Sequence, residues 1–553
     1  MKITDTSDLW WKTAIVYCLD IETYMDWDGD GRGDIVGLTH RIDHLSNLGV
    51  TCLWLMPFYP TPGKDDGYDI TDYYAVDPRL GDLGQFVELI RTANDRGMRV
   101  IVDLVANHTS DQHPWFRESR SRIDSPKRDY YLWRDEPPKD QQETVFPGEE
   151  SSVWELDEKT GQYFLHSFYR HQPDLNIANP KVRDEIARIM GFWLELGVTG
   201  FRVDAVPFFL QLPEGTRGDP HEYLRDLRRF LERRSSEAIL LGEVNLPYEE
   251  QVGYFGGGDG ASQLSMQFDF VGMQALYLSL ARQDATPLIT ALRARPELPP
   301  EAQWANFVRN HDELTLDKLS EDERQEVFDA FGPEEHMRIY GRGIVRRLPS
   351  MLDGDPRRIR MVYSLMFSLP GTPVLFYGEE IGMAENLELD GRHTVRTPMQ
   401  WSSGRNGGFS DAAPSRLVAK PPSGGYSPEH VNVVDQRHDT GSLLNFMRLL
   451  TARYRASAEI GWGELEIFDQ ENPALLVHSV TADIGRMIAV HNLSPEAATA
   501  TLTVRGEPEG TMLSDLLESR DQELPRSGKV ELDVEAYGAR WVRVMRPGDH
   551  RLT

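Results

Sequence analysis

Three carboxylic acids stand directly after short apolar runs at distant points of the chain. Asp204 ends the run GFRVD, Glu243 follows the run ILLG, and Asp312 ends the run NFVRNHD. An ionisable group that follows a buried parallel strand emerges at the C-terminal mouth of a barrel, where several such groups meet. Each acid alone could equally be the N-cap of the next helix. Together they provide what cleavage of a glycosidic bond requires, one ionised carboxylate and one with a raised pKa.

A second set of acids lies in the run DWDGDGRGD at residues 26–34, with an oxygen-bearing side chain at every second position. This spacing, with glycine at the tight turn, is typical of a loop around a hard cation. The expected ligands are four side chains and one backbone carbonyl: Asp26, Asp28, Asp30 and Asp34, and Arg32. Position twelve is Gly37, where an EF-hand carries Glu, so this is a calcium-type loop of another kind. Calcium is the expected structural ion and magnesium the alternative, while a solvated acidic turn is the competing interpretation. No organic cofactor is expected.

The elements that must position these groups alternate between short β-branched runs and longer amphipathic stretches up to about residue 450. Eight candidate strands lie at 14–18, 52–56, 100–104, 200–203, 239–242, 266–270, 306–308 and 374–377. Several are hydrophobic without alternation, as parallel strands buried on both faces are. The intervening stretches, such as 80–96, 181–196 and 222–235, fit amphipathic helices. Eight alternations predict an α/β fold, a (β/α)8 TIM barrel.

Three further segments depart from this alternation. Residues 109–178, after the third strand, are too long for an ordinary loop and predict an inserted subdomain B. Residues 313–358, after the seventh strand, are predicted to form a helical insert with a basic patch around Arg346 and Arg347. Short alternating strands beyond residue 455 predict a C-terminal antiparallel β-sandwich. The predicted division is a catalytic barrel at 1–108 and 179–454, subdomain B at 109–178 and the sandwich at 455–553.

The composition limits the partners. The 553 residues include 88 acidic and 59 basic side chains, for a formal net charge of −29. Phosphate binding needs clustered Lys and Arg, so nucleic acid and anionic membranes are disfavoured and a small neutral substrate is favoured. Homo-oligomerisation stays open.

The same composition bears on location. Cys18 and Cys52 lie in apolar runs and are predicted to be buried free thiols. The N-terminal residues lack the apolar core of a signal peptide, and Pro370 and Pro373 interrupt the longest apolar stretch. A cytoplasmic protein without a membrane span is expected.

Several of these runs resemble a known family. Four of them match, in order and spacing, the four sequence regions of the α-amylase family (glycoside hydrolase family 13): DLVANH at 103–108, GFRVD at 200–204, GE at 242–243 and NHD at 310–312. The run QPDLN at 172–176 is similar to the fifth region of oligo-1,6-glucosidases and their relatives. The resemblance implies that Asp204 is the nucleophile, Glu243 the acid/base, and Asp312 the acid that holds ring hydroxyls and helps to distort the sugar.

The resemblance also implies the residues that bind the sugar. Arg202 would orient and stabilise the nucleophile, while His108 and His311 would bind hydroxyls of the bound glucose. Outside this context, each histidine would be interpreted as a hydrogen-bonded core residue. A weaker implication is a second calcium site at Asn107 and Asp174.

Two further runs narrow the substrate to a terminal glucose. The run DDGYD at 65–69 resembles the loop in which Tyr68 stacks on the −1 glucose. In exo-acting members, the residue matching Asp65 pairs with the arginine of an RTPMQW motif, here Arg396, and the pair grips the terminal 4-hydroxyl. The competing interpretation makes Asp65 a turn residue and Arg396 a surface charge.

Within the family, the segments at 109–116, 310–316, 343–348 and 352–358 are most similar to trehalose synthases (maltose glucosylmutases). This implies interconversion of maltose and trehalose by intramolecular transglucosylation through a β-glucosyl intermediate on Asp204. The first strand and the segment around Asn245 depart from that pattern, so an exo-acting α-glucosidase or transglucosylase of short α-glucosides is the alternative. A catalytically silent sugar-binding member is a third reading, disfavoured because all three acids are present.

Overall fold

The computed structural model describes residues 9–140, 142–212, 218–256, 262–518 and 520–549. Its strands are β1 Val16–Leu19, β2 Cys52–Leu55, β3 Arg99–Leu104, β4 Trp133–Arg134, β5 Trp154–Asp157, β6 Gln162–Leu165, β7 Gly200–Val203, β8 Ile239–Gly242, β9 Met266–Phe268, β10 Gln303–Asn306, β11 Leu314–Thr315, β12 Arg338–Ile339, β13 Gly343–Ile344, β14 Thr372–Phe376, β15 Glu464–Ile467, β16 Leu475–Ala482, β17 Gly485–Asn492, β18 Ala498–Thr503, β19 Met512–Asp515, β20 Gln522–Glu523, β21 Lys529–Val534 and β22 Ala539–Met545.

The α-helices are α1 Ile21–Tyr24, α2 Ile35–Leu48, α3 Leu83–Asn94, α4 Pro114–Ser119, α5 Pro180–Glu195, α6 Val206–Phe209, α7 Pro220–Arg234, α8 Tyr248–Gln251, α9 Phe270–Arg282, α10 Thr286–Ala294, α11 Glu321–Phe331, α12 Leu348–Met351, α13 Pro356–Ser368, α14 Val433–His438, α15 Leu443–Arg455 and α16 Glu459–Trp462. The local sequence determines where many of these helices begin. The Asp34 side chain caps α2, and Asp82 and Gln85 form a capping box at the start of α3.

Eight parallel strands close into a barrel, β1, β2, β3, β7, β8, β9, β10 and β14, each hydrogen-bonded to the next and β14 to β1. Nearly every residue in them is buried, because the inner face packs inside the barrel and the outer face packs under the helices. This confirms the predicted TIM barrel. Neighbouring strands are aligned so that Leu104, Val203 and Gly242 are successive partners at the C-terminal mouth.

The seventh barrel strand lies earlier than predicted, at Gln303–Asn306 rather than 306–308. Its two polar ends obscured it in the sequence. In the structure both are buried and paired, since Gln303 donates to the Gly461 carbonyl and Asn306 to the Leu369 carbonyl. Asp312 therefore lies six residues beyond its strand and is not placed by the strand end alone.

The segment after β3 contains α4 and a three-stranded antiparallel sheet in the order β4-β6-β5. The segment after β10 contains the helix α11 and also a small sheet, β11-β13-β12, which the sequence pattern did not indicate. The predicted basic patch there is wrong. Arg347 is buried and donates to the carbonyls of Tyr377 and Val395, and Arg346 pairs with Glu385 at 3.0 Å.

The C-terminal strands form an antiparallel sheet in the order β15-β16-β17-β22-β19-β20, with β18 and β21 paired over a separate apolar core. The indole N–H of Trp541 on β22 donates to the Ser364 hydroxyl on α13, which ties the sheet to the barrel. The predicted antiparallel domain is confirmed. Within the described ranges, no helix is both long enough and apolar enough to cross a bilayer.

Candidate active site

Arg202 on β7 joins three carboxylates at the mouth of the barrel. Its Nη1 lies 2.5 Å from Asp103 Oδ1 and 2.6 Å from Asp204 Oδ1, and its Nη2 lies 2.7 Å from Glu243 Oε2. These acids end or follow the neighbouring strands β3, β7 and β8, which explains why one guanidinium reaches them all. Trp54 on β2 donates its indole N–H to the second oxygen of Asp103 at 2.8 Å. The group is therefore fixed by four adjacent strands.

Burial is the main influence on the pKa values of the two acids that the sequence marked as the catalytic pair. Burial raises the pKa of Glu243 to about 7, against the lowering effect of Arg202. Burial also raises the pKa of Asp204, to about 6, with Arg202 again opposing it. Both carboxyls therefore titrate closer to neutral pH than a free carboxylic acid does, in the range that acid/base chemistry at neutral pH uses.

Asp312 has a different environment, dominated by cations. Its Oδ1 lies 2.9 Å from Arg392 Nη1 and 3.1 Å from Arg396 Nη2, and its Oδ2 lies 3.4 Å from His311 Nε2. Burial raises the pKa of this carboxyl, but the surrounding cations outweigh burial and hold it well below the usual range. Asp312 is ionised throughout the neutral range.

Aromatic and imidazole groups complete the floor of the site. The Tyr68 hydroxyl lies 2.7 Å from His311 Nε2, and the two rings stack with centroids 5.5 Å apart. His108 is buried, and among the described residues its Nε2 has no hydrogen-bond partner. Burial lowers the pKa of His108 to about 3, so the ring is neutral.

The predicted pair between Asp65 and Arg396 is wrong. Asp65 accepts a 2.7 Å hydrogen bond from Gln172, while Arg396 Nη1 lies 2.6 Å from Asp66 Oδ2. The sequence could not show this, because which of two adjacent aspartates faces Arg396 depends on the backbone turn between them. Arg392 lines the cavity where Arg396 does not, and sequence reasoning missed it although it lies four residues before Arg396.

These groups surround a cavity of about 490 Å³. Its inner half is formed by barrel loops: Tyr68, His108, Asp204, Glu243 and Asp312. Its outer half is formed by the two inserted segments: Val145, Phe146, Phe168, Asp317, Lys318 and Arg342.

The two inserted segments contact each other beside the outer half. Arg342 donates to the Val145 carbonyl at 2.7 Å, and the Tyr169 and Tyr340 hydroxyls are 2.9 Å apart. The rings of Phe146 and Tyr340 lie 4.8 Å apart. We call this set of contacts the bridge. It joins segments almost 200 residues apart and encloses the outer half from one side.

Three of the five predicted cation ligands in the 26–34 loop lie together. Carboxylate oxygens of Asp26, Asp28 and Asp34 are within 4.8 Å of one another, which is an all-oxygen set suited to a hard cation. Asp30 lies outside this group and accepts from the backbone N–H of Arg32 at 2.8 Å. The guanidinium of Arg32 contacts Glu22.

The two residues of the weaker second cation site are hydrogen-bonded to each other. Asn107 donates to Asp174 Oδ1 at 3.2 Å, and Asp174 also accepts from the Ser167 backbone N–H. Burial raises the pKa of Asp174 to about 6. This pair links the barrel mouth to subdomain B.

The fold and the site together define a (β/α)8-barrel enzyme that acts on glycosidic bonds. The family model for the α-amylase catalytic domain matches residues 21–330 and 345–462, and the chain belongs to the α-amylase family. A second model, for the C-terminal domain of sucrose hydrolase-like proteins, matches residues 485–543.

Its relatives are similar over most of the chain. It is 43% identical over 494 residues to a trehalose synthase of Thermus thermophilus, covering 88% of this chain but 50% of that longer one. It is 38% identical over 549 residues to the trehalose synthase/amylase TreS of Mycobacterium tuberculosis, covering 97% and 90% of the two chains. Among solved structures, the trehalulose synthase MutB of Pseudomonas mesoacidophila MX-45 superposes with a TM-score of 0.77 at 26% identity, covering 97% and 99%.

Proposed function

We propose that this protein is a trehalose synthase that interconverts maltose and trehalose. The observation that carries the proposal is the bridge, because a mutase must hold its released glucose beside a reactive intermediate and keep water away. Relatives that bear this name, at 43% and 38% identity, support it.

The mechanism is a retaining double displacement. Glu243 donates its proton to the glycosidic oxygen while the Asp204 carboxylate attacks the anomeric carbon, which breaks the glycosidic bond and forms a β-glucosyl ester. The released glucose turns within the enclosed cavity and attacks the ester through its own anomeric hydroxyl. Glu243 takes the proton from that hydroxyl, and Asp204 leaves as a carboxylate. Maltose thereby becomes trehalose.

The remaining inner residues bind and orient the transferred glucose. Asp312, His108 and His311 would accept or donate hydrogen bonds to ring hydroxyls, and Tyr68 would stack on the ring. Arg202 would hold Asp204 in position for attack. Asp65 and Arg392 both line the cavity and would bind a terminal hydroxyl.

We also propose that the 26–34 loop holds a structural calcium ion, with magnesium as the alternative. Asp26, Asp28 and Asp34 are the ligands that the structure supports, with Asp30 and the Arg32 carbonyl as the weaker members of the set. Because Asp34 also caps α2, the ion would tie the start of that helix to the loop after α1. No catalytic step depends on it.

A product analysis tests the proposed activity. The enzyme is incubated with maltose and an excess of ¹³C-glucose, the products are separated by anion-exchange chromatography, and mass spectrometry measures the ¹³C content of each. Unlabelled trehalose as the main product is expected, since transfer is intramolecular. Glucose without trehalose would contradict the proposal, and labelled trehalose would show exchange with free glucose.

The alternative is an exo-acting α-glucosidase or transglucosylase on short α-glucosides. It is favoured by one observation: Asp317, Lys318 and Gln211 make part of the cavity wall polar and able to hold water. The same incubation with maltose distinguishes the trehalose synthase from this alternative, because the alternative yields glucose. Both candidates take a small neutral α-glucoside. Neither nucleic acid nor a membrane is proposed as a partner, and the cytoplasmic location stays a prediction.

A further inference from the structure

Arg396 is a buried arginine, and each of its three guanidinium nitrogens has an oxygen partner. Its Nε donates to the His311 carbonyl at 2.8 Å, its Nη2 lies 3.1 Å from Asp312 Oδ1, and its Nη1 lies 2.6 Å from Asp66 Oδ2. The guanidinium is thus held between an acid of the sugar cavity and an acid behind it. Charge-assisted hydrogen bonds of this kind are the strong ones in proteins.

Asp66 belongs to a second, separate cavity. This rear cavity has a volume of about 230 Å³ and is lined by Asp66, Arg396, Asp20 and Glu22, among others. Neither Asp66 nor Arg396 lines the sugar cavity in front. Carboxylate oxygens of Asp20, Glu22 and Asp66 lie within 4.8 Å of one another, and Arg32, which also lines this cavity, contacts Glu22.

The backbone explains how two adjacent aspartates serve different cavities. Asp66 has a φ of +48°, in the left-handed region, where Asn, Asp and Gly are the residues most readily accommodated. This turn directs Asp65 to the sugar cavity and Asp66 to the rear cavity. A left-handed non-glycine residue costs free energy and is found where the surrounding structure requires it.

We propose that Asp66 is a positioning residue, which holds Arg396 from behind so that Arg396 fixes the Asp312 carboxylate against the ring of the bound glucose. The inference rests on the proposed function of the front cavity as an α-glucoside site. Asp66 does not touch the substrate and acts only through Arg396. Its removal leaves the arginine free to shift toward the rear acids or the solvent.

The test uses Asp66→Asn, which keeps the size and the left-handed backbone but removes the charge, and Asp66→Gly, which keeps only the backbone. Asp72→Asn, an exposed acid in the same loop, is the matched control. For Asp66→Asn we expect KM for maltose to rise about tenfold while kcat falls much less, as expected when one charged hydrogen bond is lost. The control should match the wild type.

A double-mutant cycle separates positioning from a structural role. In an Arg396→Met background, Asp66→Asn should cause no further loss, because Asp66 acts through that arginine. Losses that add, or an Asp66→Asn enzyme with wild-type KM, would overturn the proposal. If Asp66→Asn fails to fold, Asp66→Gly replaces it in the double-mutant cycle with Arg396→Met, and the same outcomes test the proposal.

Binding without turnover distinguishes this proposal from the proposed function. Calorimetry with maltose in an Asp204→Ala background should show Kd about tenfold weaker when Asp66→Asn is added. If the wild-type site makes glucose rather than trehalose, the mutase proposal fails and this measurement still stands. If Asp204→Ala binds maltose and the added Asp66→Asn leaves Kd unchanged, the positioning role alone is wrong.

Discussion

The two halves of the sugar cavity are built in different ways. The inner half lies at the ends of barrel strands, where Arg202 ties three carboxylates from neighbouring strands together at 2.5 to 2.7 Å. The outer half comes from two insertions that meet at the bridge of Val145, Phe146 and Tyr169 with Tyr340 and Arg342. We therefore expect the barrel residues to determine which bond is broken and the insertions to determine which acceptor receives the glucose.

The largest effect is expected from the inner half. Asp204→Ala removes the nucleophile and should lower kcat on maltose by roughly 10⁴-fold or more, as loss of a covalent catalyst does elsewhere. The exposed helix acid Asp184→Ala is the control and should keep full activity. Steady-state rates and melting curves check both. Retained turnover in Asp204→Ala would show that Asp204 is not the nucleophile and would remove the distinction between the halves.

The pH dependence of the inner half should be bell-shaped. The proposed mechanism requires Asp204 ionised and Glu243 protonated, and burial raises their pKa values to about 6 and about 7. The rate should therefore fall about tenfold per pH unit as Asp204 gains its proton below pH 6 and as Glu243 loses its proton above pH 7. A kcat/KM profile measures this. A profile that stays flat from pH 5 to 9 would contradict the assignment.

The outer half should change the product and leave the bond cleavage almost intact. Arg342→Ala and Tyr340→Ala break two parts of the bridge, so water should reach the β-glucosyl ester and the glucose fraction should rise severalfold, a difference of about 1 kcal/mol. Total maltose consumption should change less. Chromatography of the digest gives the ratio, with the exposed Glu335→Ala as control. An unchanged ratio would show that the bridge does not exclude water.

The 26–34 loop lies outside both halves and should have the smallest effect on rate. Dialysis against EDTA, or Asp26→Asn, should lower the melting temperature because a ligand bound only to the native state stabilises it. The rate on maltose below the transition should change by less than about twofold, since the loop makes no catalytic contact. Elemental analysis measures the metal directly. No bound calcium and no thermal shift would disprove the ion site.

Much of the inner half of the cavity could be predicted from the sequence, because the patterns that indicate it lie within short segments of the chain. Unalternating apolar runs marked seven of the barrel strands within a few residues, and an acid directly after a strand must face the mouth. The structure then shows Asp204 and Glu243 on one guanidinium. Their chemical roles stay proposals, which the substitutions above address.

What the sequence missed depends on contacts that are not local. The polar strand Gln303–Asn306 became recognisable only from partners more than 60 residues away, such as Leu369. The basic pair at Arg346 and Arg347 looked like surface, since its carbonyl and carboxylate partners lie in distant loops. The choice between Asp65 and Asp66 depended on a single backbone angle.

The sharing of Arg202 has an electrostatic consequence for the reaction. With Glu243 protonated, one positive guanidinium faces the two negative charges of Asp103 and Asp204, while Asp312 is neutralised separately by Arg392 and Arg396. The nucleophile's corner of the cavity therefore carries surplus negative charge. The anomeric centre becomes oxocarbenium-like as the bond breaks, so this corner is complementary to the transition state rather than to neutral maltose. Sugar analogues in which a protonated nitrogen replaces the ring oxygen place a positive charge at this point, and they should bind here more tightly than the neutral sugars they imitate.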